Sequence, residues 1–215
     1  MSNQLLRYKY ICVEGNIGAG KTSLASKLAG DFNGKLILEQ FEDNPFLPKF
    51  YKDPAKYAFQ LELSFLASRF QQVKDQLAKP DLFRQFVVSD YFINKSLIFA
   101  RKTLQDDEFA LFNRLFHIII STVPRPELLI YLYVDVNRLQ QNIRNRGRSY
   151  EQAIEDSYLE KIQAGYLEYL RQLPNTRILL LDTNKLDFVA NKNDYQQLIE
   201  VINTSYEPGL HRITF

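Results

Sequence analysis

Five short runs along the chain are close to continuously apolar: Tyr8–Glu14, Lys35–Gln40, Gln85–Tyr91, Glu127–Asp135 and Thr176–Asp182. Strands buried on both faces read this way, whereas a half-solvated strand alternates apolar and polar positions. Between the runs, apolar residues recur at helical spacing. These stretches cover Lys21 to about Asp31, Pro54–Lys79, Phe92–Leu104, Glu108–Ser121, Val136–Arg146, Glu155–Gln172 and Asp194–Thr204. Alternation of strands and helices predicts an α/β fold, here a five-stranded parallel sheet with helices on both faces. Ligands of such sheets gather at the carboxyl ends of the strands. No repeat, low-complexity segment or linker interrupts the pattern, so residues 1–215 are read as one domain.

The end of the first strand carries Gly15-Asn16-Ile17-Gly18-Ala19-Gly20-Lys21-Thr22, followed by Ser23 and the first helix. A strand–G-x-x-x-x-G-K-T–helix unit is a phosphate-binding loop. Its glycines let backbone N–H groups turn inward around a phosphate chain, and the helix N-terminus adds the positive end of its dipole. The Lys21 ammonium bridges the terminal phosphates, and the Thr22 hydroxyl is placed to ligate magnesium. A nucleoside triphosphate with Mg²⁺ is the expected ligand of residues 15–23.

Composition narrows the remaining choices. The 215 residues, 46% hydrophobic, are ordinary for a globular α/β chain. A net charge of +2 gives no reason to expect nucleic acid or a membrane as partner. The single cysteine, Cys12, excludes an internal disulfide. The N-terminal residues lack the apolar run of a signal peptide, and no stretch approaches the ~20 apolar residues of a membrane span. A cytoplasmic protein is expected.

Two further groups sit at strand ends. Glu39 closes the second run, where its carboxylate can face the phosphate loop and take the proton of an attacking hydroxyl. After the fourth run come Arg138 and the cluster Arg144, Arg146 and Arg148. Guanidinium groups there can close over a triphosphate as a lid, about residues 144–156, and neutralise transition-state charge.

Taken together, the motifs resemble the deoxynucleoside kinase family from Tyr10 to about Leu170. The most specific stretch runs from Phe41 to Pro54 (FEDNPFLPKFYKDP) and is followed by Tyr57-Ala58-Phe59-Gln60. It is similar to the bacterial deoxyadenosine/deoxyguanosine kinase branch. The resemblance implies a P-loop kinase fold and ATP-dependent phosphorylation of the 5′-hydroxyl of purine deoxynucleosides in nucleotide salvage. By the same resemblance Glu39 is the general base, Tyr51 and Glu151 hold the sugar 3′-hydroxyl, and Gln60 hydrogen-bonds the base edge. Phe99 flanks the base, Arg69 lies near the base and 5′ end, and Arg144, Arg146 and Arg148 belong to the lid. It also implies a homodimer, for which the Phe- and Leu-rich helices Pro54–Lys79 or Glu108–Ser121 are the candidate faces.

One departure stands out. Where the family shows an acid-Arg-Ser/Thr triplet after its third strand, this chain reads Ser89-Asp90-Tyr91-Phe92-Ile93-Asn94-Lys95-Ser96. The arginine is missing, Asp90 supplies the acid only with a one-residue slip, and Lys95 stands where the family often has an acid. Lys95 or Arg69 could restore the lost charge.

Three other readings compete. A regulatory GTPase is suggested by Asn184-Lys185-Leu186-Asp187 after an apolar strand, with Asn191–Asp194 repeating the pattern. The required Asp-x-x-Gly switch is absent from the end of the third strand, and Asn184–Asp194 serves equally as a loop over the donor adenine. A thymidylate-kinase-like enzyme would need extra basic groups for the acceptor phosphate. A binding-only relative is disfavoured because Glu39, Lys21 and the lid arginines are all present.

Overall fold

The computed structural model describes residues 5–40, 44–77, 81 and 83–215. Residues Phe41–Asp43 of the resemblance-carrying stretch and Lys79 at the expected helix end lie outside them. Six parallel strands form one sheet: β1 (Tyr10–Gly15), β2 (Lys35–Ile37), β3 (Val87–Ser89), β4 (Leu128–Tyr133), β5 (Arg177–Asp182) and β6 (Gly209–Thr214). Their order across the sheet is β2-β3-β1-β4-β5-β6. Cys12 of β1 lies opposite Ser89 of β3 and Leu129 of β4.

The uninterrupted apolar runs follow from the two cores that the sheet separates. Ile11 and Val13, Ile130 and Leu132, and Leu179 and Leu181 pack on one face with Leu24, Leu28, Leu139, Ile143, Leu198 and Ile202. These come from α1 (Lys21–Asp31), α6 (Val136–Arg146) and α8 (Lys192–Ile202). Cys12, Leu129, Tyr131, Ile178 and Leu180 face the other way, against Ile98, Ile162, Tyr166 and Leu170 of α4 (Lys95–Thr103) and α7 (Asp156–Leu170). Alternate residues of β1, β4 and β5 thus enter different cores, so both faces of these strands call for apolar side chains. Each fully buried leucine in these layers contributes about 1.5–3 kcal/mol. Beyond α4, the helices α3 (Pro54–Leu77) and α5 (Asp106–Ile120) form a third layer around Leu66, Ala100, Phe112 and Phe116.

Among the described residues the sheet has six strands rather than the expected five. β6 is an edge strand whose residues alternate between partly buried and exposed, and Ile213 and Phe215 rest on the first core. With one face solvated it lacks the continuous apolar run that marks the others. Local capping shifts several helix starts. α5 begins two residues early because Gln105 and Glu108 form a reciprocal capping box. Asn191 accepts from the N–H groups of Asn193 and Asp194 and starts α8. A short helix not expected from the pattern, α2 (Leu47–Lys52), precedes α3. No helix among the described residues is long and apolar enough to cross a membrane.

Candidate active site

The phosphate loop joins β1 to α1 at the carboxyl edge of the sheet. Gly20, at φ 90°, is the N-cap of α1 and makes no side-chain cap. A Cβ there would come within 2.9 Å of the Phe188 ring, so both backbone sign and space demand glycine. With no acidic residue in its first turn, α1 presents its leading N–H groups to an anion. Gly15 presses against Leu132 of β4. Asn16 donates to the Leu159 carbonyl of α7 at 2.8 Å and accepts from Ile17 N at 2.9 Å. These two residues shape the loop rather than line its cavity.

Gly18, Ala19, Gly20, Lys21, Thr22 and Ser23 line that cavity, opposite Asn142, Asn145, Arg146 and Arg148. The segment Thr183–Val189 after β5 closes its far side. Arg138 holds this segment in place by donating to the carbonyls of Thr183, Asn184 and Leu186. The Asn184 side chain is committed within the fold: it accepts from Asp135 N at 2.9 Å and donates to Asp182 at 2.9 Å. It is therefore not free to read a guanine, which removes the main support for the GTPase reading.

A second cavity adjoins the first. Lys21, Thr22, Arg146 and Arg148 line both, so the two meet where a terminal phosphate would lie. Ile17 and Glu39 face the second cavity. β2 ends at Ile37, and the irregular backbone after it turns Glu39 toward two cations. Arg69 Nε donates to Glu39 Oε1 at 2.8 Å, Lys95 Nζ donates to Oε2 at 2.7 Å, and Arg69 also reaches Ser96 Oγ at 2.7 Å. Burial pushes the Glu39 pKa up, but the adjacent Arg69 and Lys95 charges hold it well below the usual carboxylate range. Lys21 donates to the Asn16 carbonyl at 2.8 Å. Burial, assisted by the charge of Lys95, lowers its pKa to about 8.

Asp90 directly follows β3 and connects these groups. Its Oδ2 accepts from Thr22 Oγ1 at 2.5 Å and its Oδ1 from Glu39 N at 2.7 Å. Thr22 and Asp90 both line the second cavity, Thr22 where it meets the phosphate cavity, and offer two hard oxygen donors, the chemistry that suits Mg²⁺ completed by phosphate oxygens and water. Among the described residues no group of three or more His, Cys, Asp or Glu side chains could hold a metal by itself.

The opposite end of the second cavity is aromatic. Tyr51 stacks on Tyr150 with ring centroids 6.3 Å apart, and Glu151 pairs with Arg146 and with Arg148, the latter at 3.5 Å. Burial, with the Glu151 charge adding to it, pushes the Tyr51 phenol pKa up, so it remains a neutral hydrogen-bonding group. Phe99, Phe65, Leu61 and Glu62 complete the wall.

The structure brings Glu39, Lys21, Arg146, Arg148, Tyr51, Arg69, Phe99 and Glu151 to one place. Two expected residues lie elsewhere. Gln60 is exposed and does not line the cavity; Glu62 stands there instead, because two residues along a helix rotate the side chain by about 200°. Arg144 is also exposed and lies outside both cavities, whereas Arg146, exposed as well, and Arg148 line both. Glu62 was discoverable from spacing: it shares a helical face with Phe65, Leu66 and Arg69, at i+3, i+4 and i+7.

Residues 11–207 match the model of the deoxynucleoside kinase family. The chain is 37% identical to deoxyguanosine kinase of Bacillus subtilis (strain 168), an alignment covering 88% of this chain and 93% of that protein. It is 32% identical to deoxyadenosine kinase of Dictyostelium discoideum, covering 92% of this chain and 79% of that one. Among solved structures, deoxyadenosine kinase from M. mycoides with bound dCTP has a TM-score of 0.77 at 21% identity, covering 90% and 98% of the two chains. That likeness speaks for the fold alone.

Proposed function

The chain belongs to the deoxynucleoside kinase family, and we propose that it transfers the γ-phosphoryl group of ATP to the 5′-hydroxyl of a purine deoxynucleoside in cytoplasmic salvage. The observation that carries this reading is the meeting of two cavities at Lys21, Thr22, Arg146 and Arg148, with Glu39 on the acceptor side. ATP occupies the cavity of the phosphate loop, its phosphates held by the α1 N–H groups and Lys21. Thr22 and Asp90 would hold the Mg²⁺ that accompanies ATP, and the ion would supply neutralisation of charge on the phosphate oxygens.

The acceptor nucleoside fills the second cavity, its sugar against Tyr51 and Glu151 and its base beside Phe99. Glu39 is ionised throughout the working pH range and accepts a hydrogen bond from the 5′-hydroxyl. As the bond from the 5′-oxygen to the γ-phosphorus forms, the bond from that phosphorus to its ADP oxygen breaks. The hydroxyl proton passes to Glu39. Lys95 replaces the arginine missing after β3: through Glu39 it sits beside the reacting oxygen with Arg69, and Arg146 and Arg148 stabilise the charge in transfer.

The protein acts as a homodimer in this reading. α5 buries only Phe112 and Phe116 and leaves Leu111 and Ile118 exposed, and α3 exposes Leu63. A monomer by light scattering at assay concentration would contradict it.

The activity is tested by measuring transfer from ATP·Mg²⁺ to the four deoxynucleosides, thymidine monophosphate and a no-acceptor control. Deoxyguanosine or deoxyadenosine monophosphate is the expected product. Transfer to thymidine monophosphate alone would overturn the acceptor assignment. A Glu39→Gln enzyme with wild-type turnover would remove Glu39 as the base.

A further inference from the structure

β1 carries one charged residue, Glu14, directly before the phosphate loop. It is 1% exposed and lines neither cavity. A buried carboxyl group is costly unless its oxygens are hydrogen-bonded, and those of Glu14 are. Oε1 accepts from Phe92 N at 2.6 Å, and Oε2 accepts from the Tyr166 hydroxyl at 2.8 Å and from Gly15 N at 3.2 Å. Burial raises the Glu14 pKa, and Lys95, Lys21 and the Phe92 N–H draw it back. In either protonation state each oxygen keeps a lone pair for an N–H donor.

The three partners belong to segments that no backbone ladder joins to one another. Pairing of β1 with β3 ends at Cys12 and Ser89. Past that pair no ladder among the described residues connects β1 to the chain leaving β3, whereas pairing with β4 continues to Gly15. The Glu14 side chain supplies the missing connection, with Gly15 of the loop on one oxygen and Phe92 on the other. Phe92 lies two residues after Asp90 and three before Lys95. Tyr166 extends the connection to α7. It stands seven residues beyond Leu159 on the same helical face, and the Leu159 carbonyl accepts from Asn16 of the loop at 2.8 Å. α7 follows the lid segment that carries Glu151, and the Tyr166 ring meets Phe99 of the acceptor wall edge-on, with centroids 6.2 Å apart.

Resting on the kinase reading above, we propose that Glu14 is a positioning residue that sets the spacing between the two substrates. It ties the phosphate loop, which holds the donor, to the acceptor-side groups carried by the segment after β3 and by α7. Phosphoryl transfer depends on placing the 5′-oxygen in line with the γ-phosphorus, and a misplacement of ~1 Å costs on the order of a hundredfold. Each substrate keeps its own contacts when Glu14 is replaced, and their mutual placement changes. Glutamine has the right shape and the wrong pattern. Its amide nitrogen has no lone pair to offer, so Gly15 N–H or Phe92 N–H loses its acceptor whichever way the amide is turned.

The test compares Glu14→Gln with the wild type, using kinetics and a bisubstrate probe in which adenosine and deoxyguanosine are joined 5′ to 5′ through five phosphates. In the variant, kcat should fall on the order of a hundredfold while KM for ATP and for deoxyguanosine stays within about threefold. The probe should bind the variant about tenfold more weakly, although ATP and deoxyguanosine alone bind as before, because the joined molecule senses the spacing of the two cavities. Tyr166→Phe keeps the ring contacts with Phe99 and Tyr131 and both N–H ties. It should show the same split with kcat down about fivefold, the loss typical of one hydrogen bond, and it decides the matter if Glu14→Gln does not fold. A role confined to stability would lower the folded fraction but leave kcat per folded molecule and the probe's affinity unchanged, and that result would overturn the proposal. A loss confined to the KM of one substrate, with the probe's affinity kept, would overturn it too. Both results leave the kinase reading intact. Absence of transfer to every deoxynucleoside by the wild type would overturn that reading and the proposal together.

Discussion

Replacing Glu62 by glutamine should change how the stability of the free protein depends on pH. The folded protein holds the Glu62 proton up to about pH 7, whereas an ordinary glutamate releases it near 4.5. Between those values the folded state binds about one proton more than the unfolded chain, so stability falls as pH rises, and above about 7 the loss is complete. The sign is that of an acid whose folded pKa is raised: its full contribution is present below 4.5 and is lost as pH passes through 7. At ~1.4 kcal/mol for each pH unit in this interval, the wild type loses about 2–3 kcal/mol relative to Glu62→Gln on going from about pH 5 to about pH 8. Glutamine has no proton to lose there, and the groups shared by both proteins cancel in the difference. Urea unfolding of both proteins at the two pH values, with linear extrapolation to water, measures this directly. For a chain of this length the same change is about 5–10 °C in Tm. Unfolding free energies that differ by the same amount at both pH values would refute the reasoning, because they would mean Glu62 is already ionised in the folded protein at about pH 5.

Three further outcomes are expected. Lys95→Ala should lower kcat on the order of a hundredfold, with Lys95→Arg recovering most of it, because a cation beside Glu39 is required; unchanged kinetics in Lys95→Ala would remove it from the machinery. The kcat/KM for ATP should be level below about pH 8 and fall about tenfold per pH unit above it, as the Lys21 ammonium of the free enzyme loses its proton. A profile level to about pH 9.5 would contradict this. Arg146→Ala should reduce turnover on the order of a hundredfold and Arg144→Ala by no more than about twofold, and equal losses would contradict the placing of Arg146 in the cavity wall and Arg144 outside it.

Much of this architecture is local enough to be read along the chain. The phosphate loop works through adjacent backbone groups, so Gly15–Thr22 declare themselves as a string. The doubly buried strands declare themselves because both their faces need apolar residues. Glu39 was legible because strand ends are where such sheets bind ligands. β6 was not, since an edge strand buries one face and carries no continuous run.

What the tertiary structure alone decided is which side chains meet. Gln60 and Glu62 stand two apart in the same helix, and only the packing of α3 against α4 shows that the glutamate turns inward and the glutamine outward. Asp90 reaches Thr22 because β3 stops at Ser89, and the apolar run through Phe86–Val88 does not mark that last residue. Lys95 and Arg69 converge on Glu39 from positions 56 and 30 residues away, a closeness no local pattern encodes. Sequence periodicity sets the elements and the backbone of the loop. The chemistry of the acceptor end depends on helix phase and strand end points, which long-range packing sets.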